Sequence, residues 1–89
     1  MISRNTLKTK EISYETLTGK ERINLEYSIL EKKDESDIVY GIEIIKDKKE
    51  YQNAMVSNSK KQVEDLINIF YENEVTPSTL IEILNDLSF

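Results

Sequence analysis

The 89-residue chain contains no cysteine and no histidine, and these two absences exclude much of enzyme chemistry. Without cysteine the chain cannot form a disulfide, carry a thiolate nucleophile or build a cysteine-based zinc site. Without histidine it lacks the side chain that most often acts as a general base and most often binds transition metals. We therefore predict that the protein is not an enzyme, has no catalytic residues and binds neither a metal ion nor another cofactor.

Glycine, proline and long apolar runs are also scarce. The two glycines, Gly19 and Gly41, are too few for the glycine-rich loops that bind phosphate groups. No apolar run approaches the roughly 20 residues that cross a bilayer, and no secretory signal is recognisable. The length leaves room for one domain. These features predict a single cytoplasmic domain that does not bind membranes.

Alternation of apolar and polar residues indicates β-structure in the first two-thirds of the chain. The alternation is clearest at residues 22–31 and 38–46, weaker at 6–17 and short at 50–56. The connections between these segments are short, which predicts an antiparallel meander of four neighbouring strands. Gly41 lies inside a strongly patterned strand, so we expect a bulge there or another group packed closely over it.

Helical spacing of apolar residues replaces the alternation in the last third of the chain. Ser59 followed by Gln62 is typical of a capping box and predicts a helix that ends near Asn73. Thr76 and Pro77 predict the start of a second helix, because threonine is a frequent N-cap and proline fits the first helical position.

Together these elements predict one α+β domain. Residues 1–57 form a four-stranded antiparallel β-meander, and residues 58–89 form an acidic helical hairpin packed on one face of the sheet. The apolar arcs of both helices are wider than contact with a sheet alone requires. Either each helix contacts both the sheet and the other helix, or a second copy of the chain covers Ile69 and Ile81 in a homodimer.

Charge is distributed unevenly between the two parts of the chain. The net charge is −5, yet all 12 basic residues precede residue 62, and the acids that follow give residues 62–89 a net charge of −6. Such a single-sign surface either keeps the helices soluble or docks a basic protein partner. We expect the first two of these acids to lie in the first helical turn, where the helix dipole favours negative charge. The six candidate interaction residues are Glu64, Asp65, Glu72, Glu74, Glu82 and Asp86.

Tyrosines and lysines in the sheet offer an alternative interaction. Tyr14, Tyr27, Tyr40 and Tyr51 fall one on each predicted strand, and exposed aromatic side chains on a sheet can stack on the bases of single-stranded nucleic acid. However, Tyr27 and Tyr40 share their registers with isoleucines, which favours positions in the core or at its rim. A net acidic protein also repels phosphate groups.

Three segments resemble a known family: residues 40–44 (YGIEI), 70–77 (FYENEVTP) and 80–84 (LIEIL). They are similar to a family of small, uncharacterised proteins from spore-forming Firmicutes, catalogued only as a domain of unknown function. The resemblance implies a small cytoplasmic bacterial protein. It implies no activity, cofactor or catalytic residue.

These observations predict a regulatory protein that acts through protein–protein contact at its acidic hairpin. Many basic proteins bind DNA, so one concrete form is an accessory factor that modulates a DNA-handling protein, such as a site-specific recombinase or a transcription factor. The alternative is direct nucleic-acid binding through the tyrosine and lysine face of the sheet.

Overall fold

A computed structural model describes residues 2–87, which form four strands followed by two helices. The strands pair as antiparallel neighbours in chain order, and both helices pack against the sheet, which confirms the predicted α+β fold. The predicted domain limits include Met1, Ser88 and Phe89, which lie outside the described residues. The elements are β1 (Ile2–Thr16), β2 (Gly19–Asp34), β3 (Asp37–Lys46), β4 (Glu50–Ser57), α1 (Lys60–Glu72) and α2 (Pro77–Asp86).

Tight turns make the first two hairpins longer than predicted. Gly19 adopts φ +139° directly after the turn between β1 and β2, a conformation that glycine tolerates without strain. The alternating segments 22–31 and 38–46 predict that residues 32–37 connect two strands, but β2 and β3 stay paired as far as Asp34 and Asp37. The predicted strand ends were wrong here because the backbones remain paired although the side chains on both faces are exposed. Exposed residues show no alternation of apolar and polar types that would reveal such pairing.

β1 and β2 extend beyond the other strands as a two-stranded arm, residues 11–24. Pairing of β2 with β3 begins at Leu25, so the part of β2 that precedes it pairs only with β1. Leu17 at the tip of the arm is fully exposed. The arm contributes to an elongated molecule that measures 53 × 25 × 17 Å.

The hydrophobic core lies between the two helices and one face of the sheet. α1 lies against all four strands, whereas α2 lies against β3 and β4. The alternating apolar residues of β2 and β3 face the helices, as their pattern predicts. The buried side chains of this core are Leu25, Tyr27, Ile29, Ile42, Ile44, Val63, Leu66, Ile67, Phe70, Val75, Leu80 and Leu84.

Gly41 occupies a position that has no space for a side chain. The pairing of β3 with β4 shifts its register between Tyr40 and Gly41, which marks a β-bulge. A Cβ atom at Gly41 would collide with the carbonyl oxygen of Ala54 and with the Sδ atom of Met55. Both expectations for this glycine, a bulge and close packing, are confirmed.

A relayed capping box begins α1. The backbone N–H of Gln62 donates to Oγ of the N-cap residue Ser59 at 3.3 Å. The return half passes through Ser57: the Ser59 N–H donates to Ser57 Oγ at 3.0 Å, and that hydroxyl donates to Gln62 Oε1 at 2.7 Å. α1 ends at Glu72 with Asn73 as its C-cap, which confirms both predicted ends of the helix.

α2 begins at Pro77 with Thr76 in the predicted N-cap position. The Thr76 hydroxyl does not cap a backbone N–H; it lies 3.1 Å from Ser78 Oγ and 3.3 Å from Thr79 Oγ1. Within residues 2–87, neither helix combines the length and apolar content that crossing a membrane requires.

Candidate protein-interaction surface

The predicted acidic residues lie at the surface of the helix layer. α1 turns Val63, Leu66, Ile67 and Phe70 toward the sheet, so its remaining sides face solvent. Glu64 is half-buried, and the other five predicted acids are exposed. Each of the six side chains is therefore placed where a second molecule could reach it.

Glu64 and Asp65 lie in the second turn of α1, which corrects the expectation that they occupy the first. α1 begins at Lys60, and its first turn contains no acid. The effect of the helix dipole falls off within the first turn, so it contributes little to these two carboxylates. Asp65 instead pairs with Lys61 one turn earlier, with Nζ and Oδ2 3.2 Å apart. Both side chains are largely exposed, and such pairs contribute little stability.

One exposed isoleucine lies between acids on α1. Asp65, Ile69 and Glu72 are separated by four and three residues, which places them along one side of the helix. Ile69 is 51% exposed. An apolar side chain with a charged rim is the arrangement of a small protein–protein contact.

α2 carries two further exposed acids of the helix layer. Glu82 and Asp86 are one turn apart and point away from the buried residues Leu80 and Leu84. We define the outer helix surface as the exposed residues Asp65, Ile69, Glu72, Glu82 and Asp86.

The two isoleucines proposed for self-association are both exposed, on different helices. Ile81 is 38% exposed, and Ile83, on the opposite flank of α2, packs against the core. Ile69 lies on α1, toward the end of the helix that contacts β1. Both side chains therefore meet the first requirement for self-association, which is exposure.

Glu74 is held in a fixed position in the connection between the helices. Its backbone has φ +55°, in the left-handed region that often terminates a helix. The Val75 N–H donates to the Phe70 carbonyl at 3.0 Å, and the Glu74 N–H donates to the Tyr71 carbonyl at 3.3 Å. Val75 is buried beneath this connection, so the carboxylate of Glu74 projects from an ordered turn.

The four tyrosines of the sheet are not gathered on one exposed face. Tyr27 is fully buried, and its hydroxyl donates to the Val75 carbonyl at 2.8 Å. Burial raises the pKa of Tyr27 to about 12. Tyr40 is half-buried, Tyr14 lies on the arm, and Tyr51 is 68% exposed on the sheet face that the helices do not cover.

Two lysines of β1 contact an aromatic ring of the protein itself. The Nζ atoms of Lys8 and Lys10 each lie 4.8 Å from the centroid of the Tyr71 ring, within the range of a cation–π contact. Lys10 Nζ also donates to the Tyr71 carbonyl at 3.0 Å, near the negative end of the α1 dipole. These contacts link β1 to the end of α1.

Glu43 is a buried carboxylate that the sequence analysis missed. It lies on the sheet face opposite the helices, yet it is only 3% exposed. Arg4 Nε lies 2.6 Å from Oε1, although its N–H is not aligned as a hydrogen bond to that atom, and Asn53 Nδ2 donates to Oε2 at 3.2 Å. Among residues 2–87 the carboxylates do not form a group of three that could hold a metal ion.

The chain matches the model of a family of unknown function, DUF6514, over residues 6–88. It matches no curated protein and no solved structure. The match extends from β1 through α2 and confirms the resemblance to an uncharacterised family. It brings no activity, ligand or partner with it.

Proposed function

We propose that this chain, which belongs to the DUF6514 family of unknown function, is a non-enzymatic regulatory protein whose outer helix surface docks a basic partner protein. The observation that carries the proposal is the combination of Ile69 with acids on both helices. Charge on this surface would select the partner, and the apolar side chain would anchor it.

Charge complementarity is the first support for this proposal. Residues 58–87 contain six acids and only two basic residues, Lys60 and Lys61, both at the start of α1. After Lys61, every charged residue of the two helices and their connection is acidic. A surface of one sign accelerates encounter with a surface of the opposite sign and disfavours other acidic proteins.

The exposed isoleucine is the second support. A helix side that served only for solvation would gain nothing from Ile69, whereas burial of an isoleucine side chain contributes about 1.5–3 kcal/mol. Its acidic neighbours Asp65 and Glu72 would form the rim that excludes water around this contact.

A DNA-handling protein is the partner class that we propose. Such a protein presents lysine and arginine side chains to DNA phosphates, and an acidic helix layer is complementary to the same side chains. The chain would then be an accessory factor of a site-specific recombinase or a transcription factor, in the bacterial cytoplasm. Its origin in a spore-forming Firmicute belongs to the same proposal.

Charge reversal on the outer helix surface tests the docking proposal. The partner is captured from a lysate of the native host with the immobilised chain, and its affinity is then compared with that for a variant carrying Asp65→Lys, Glu72→Lys and Glu82→Lys. We expect binding to weaken by about tenfold or more, because several complementary contacts become repulsive. The matched control reverses three exposed acids of the arm, Glu11, Glu15 and Glu21, and should bind normally.

Circular dichroism confirms that both variants remain folded. Equal affinity of the two triple variants would contradict docking at the helices. A gel-shift titration with single-stranded DNA tests the alternative: binding by the chain alone that falls steeply with salt would favour a nucleic-acid function instead.

A further inference from the structure

The two edges of the sheet differ in how they are protected against pairing with another strand. β1 has a bulge between Thr6 and Lys8 and carries three basic and two acidic residues. β4 also has a bulge, at Val56, where its pairing with β3 shifts, but it has no charged residue after Glu50, so residues 51–55 (YQNAM) are uncharged and in regular register. Charges and bulges are the usual protection of an edge strand. β1 has both kinds of protection, whereas residues 51–55 of β4 have neither and are open to strand addition.

We propose that β4 pairs in antiparallel orientation with β4 of a second copy of this chain, which joins the two sheets into one eight-stranded sheet. A second copy fits because an uncharged strand that meets its own sequence places no like charges opposite each other. This inference is independent of the proposed docking function, since it uses the sheet edge and not the outer helix surface.

The exposed side chains of β4 indicate the register of this pairing. A two-fold axis perpendicular to the sheet pairs residues that lie on the same face, so the axis passes midway between the two copies of one residue. An axis at Asn53 places Tyr51, 68% exposed, opposite Met55 of the second copy, 39% exposed, and the symmetric pair forms on the other side. Thioether–aromatic contacts are favourable, and this register covers the two most exposed apolar side chains of the strand.

α2 borders the same edge. An open groove of about 400 Å³ lies between the start of β4 and the start of α2, and Tyr51, Gln52, Pro77 and Ser78 are among its lining residues. Ile81 lies one turn after Ser78 on the same flank of α2 and is 38% exposed. A second copy at the β4 edge would bring its own α2 against this flank and cover Ile81. Ile69 lies on the other helix, near the end of α1 where Tyr71 contacts Lys10 of β1, and should stay outside the interface.

Sedimentation equilibrium of complementary variants tests the dimer. The chain of 10.4 kDa should sediment at twice that mass at high concentration. The double variant Tyr51→Lys, Met55→Lys places lysine opposite lysine twice, and the double variant Tyr51→Glu, Met55→Glu places glutamate opposite glutamate twice. The dissociation constant of each variant dimer should therefore be at least about tenfold higher than that of the wild type. Mixing the two should restore the double mass.

Lysine substitutions on the other edge provide the control. Thr9→Lys with Ser13→Lys adds the same charge at exposed positions of β1 and should leave the dimer intact. Ile81→Asp should weaken the dimer, whereas Ile69→Asp should not. A wild-type chain that sediments as a monomer at every concentration, or double variants of β4 that dimerise as strongly as the wild type, would overturn the proposal.

Cross-linking checks the register without adding charge. The chain has no cysteine, so Asn53→Cys introduces one thiol, and residues that face each other across an antiparallel pair lie within the Cα separation that a disulfide requires. Mild oxidation should join two copies through position 53. Cross-linking through Ser13→Cys at an equal or higher rate would contradict pairing at β4.

Discussion

Tyr27 connects the centre of the sheet to the connection between the helices. Its ring is fully buried and meets the Tyr71 ring edge-on, with the centroids 5.9 Å apart. Its hydroxyl donates to the Val75 carbonyl, 48 residues later in the chain. A carbonyl accepts hydrogen bonds but cannot donate them, so this contact requires the neutral phenol.

Replacing Tyr27 by phenylalanine should lower the free energy of unfolding by about 1–3 kcal/mol, because the buried Val75 carbonyl loses its donor. The difference between the two proteins should depend on pH, since burial raises the pKa of Tyr27 from 10.0 to about 12. The contribution of Tyr27 is complete below pH 10.0 and declines as the pH rises toward about 12, by at most about 1.4 kcal/mol per pH unit. Urea denaturation at about pH 8 and about pH 11 measures it; an unchanged difference would contradict the assignment.

Gly41 should tolerate no larger residue. Gly41→Ala would force its Cβ against the Ala54 carbonyl oxygen, and because this neighbour is backbone, β4 itself must move. We expect a loss of about 1–3 kcal/mol in the free energy of unfolding, measured by denaturant titration. Ser13→Ala, at an exposed position of β1, serves as the control and should stay within about 0.5 kcal/mol of the wild type.

At the scale of the elements, the sequence best predicts those strands and helices that bury one face against the core. The alternation in β2 and β3 and the helical spacing in α1 identified those elements because they contact the core. The ends of the first two hairpins were missed, since Asp34 and Asp37 pair through their backbones while their side chains face solvent.

The exposed acids of the candidate surface were predictable from the sequence, whereas the buried Glu43 was not. The exposure of the acids on α1 and α2 follows from helical spacing, which separates a buried side from a solvent side. Burial of Glu43 does not follow from any local pattern. It depends on Arg4, 39 residues earlier, reaching across β2 to the carboxylate on β3.

The relayed capping box at the start of α1 should behave as one cooperative unit. Ser59→Ala removes the acceptor for the Gln62 N–H and should cost about 1 kcal/mol. Ser57→Ala breaks the link between the Ser59 N–H and the Gln62 side chain. Thermal unfolding of the single variants and the double variant measures their coupling. Strictly additive effects would show that the two serines act separately.

At the scale of the whole molecule, the arm is separable from the core. Replacing residues 13–22 by Asn-Gly joins Ile12 to Ile23, which are already paired across the arm, through a turn suited to a two-residue hairpin. The removed residues are almost all exposed, so the free energy of unfolding should change by less than about 1 kcal/mol in urea titrations. A larger loss would show that the arm supports the fold.

The elongated outline of the molecule determines how its mass can be measured. Its radius of gyration, 14.1 Å, exceeds the value of about 12 Å that is typical of a compact chain of this length. An elongated particle experiences more friction than a sphere of equal mass and leaves a gel-filtration column earlier. A monomer would therefore elute at an apparent mass above its true mass, and its elution volume alone could be mistaken for that of a dimer. Light scattering reports mass independently of shape.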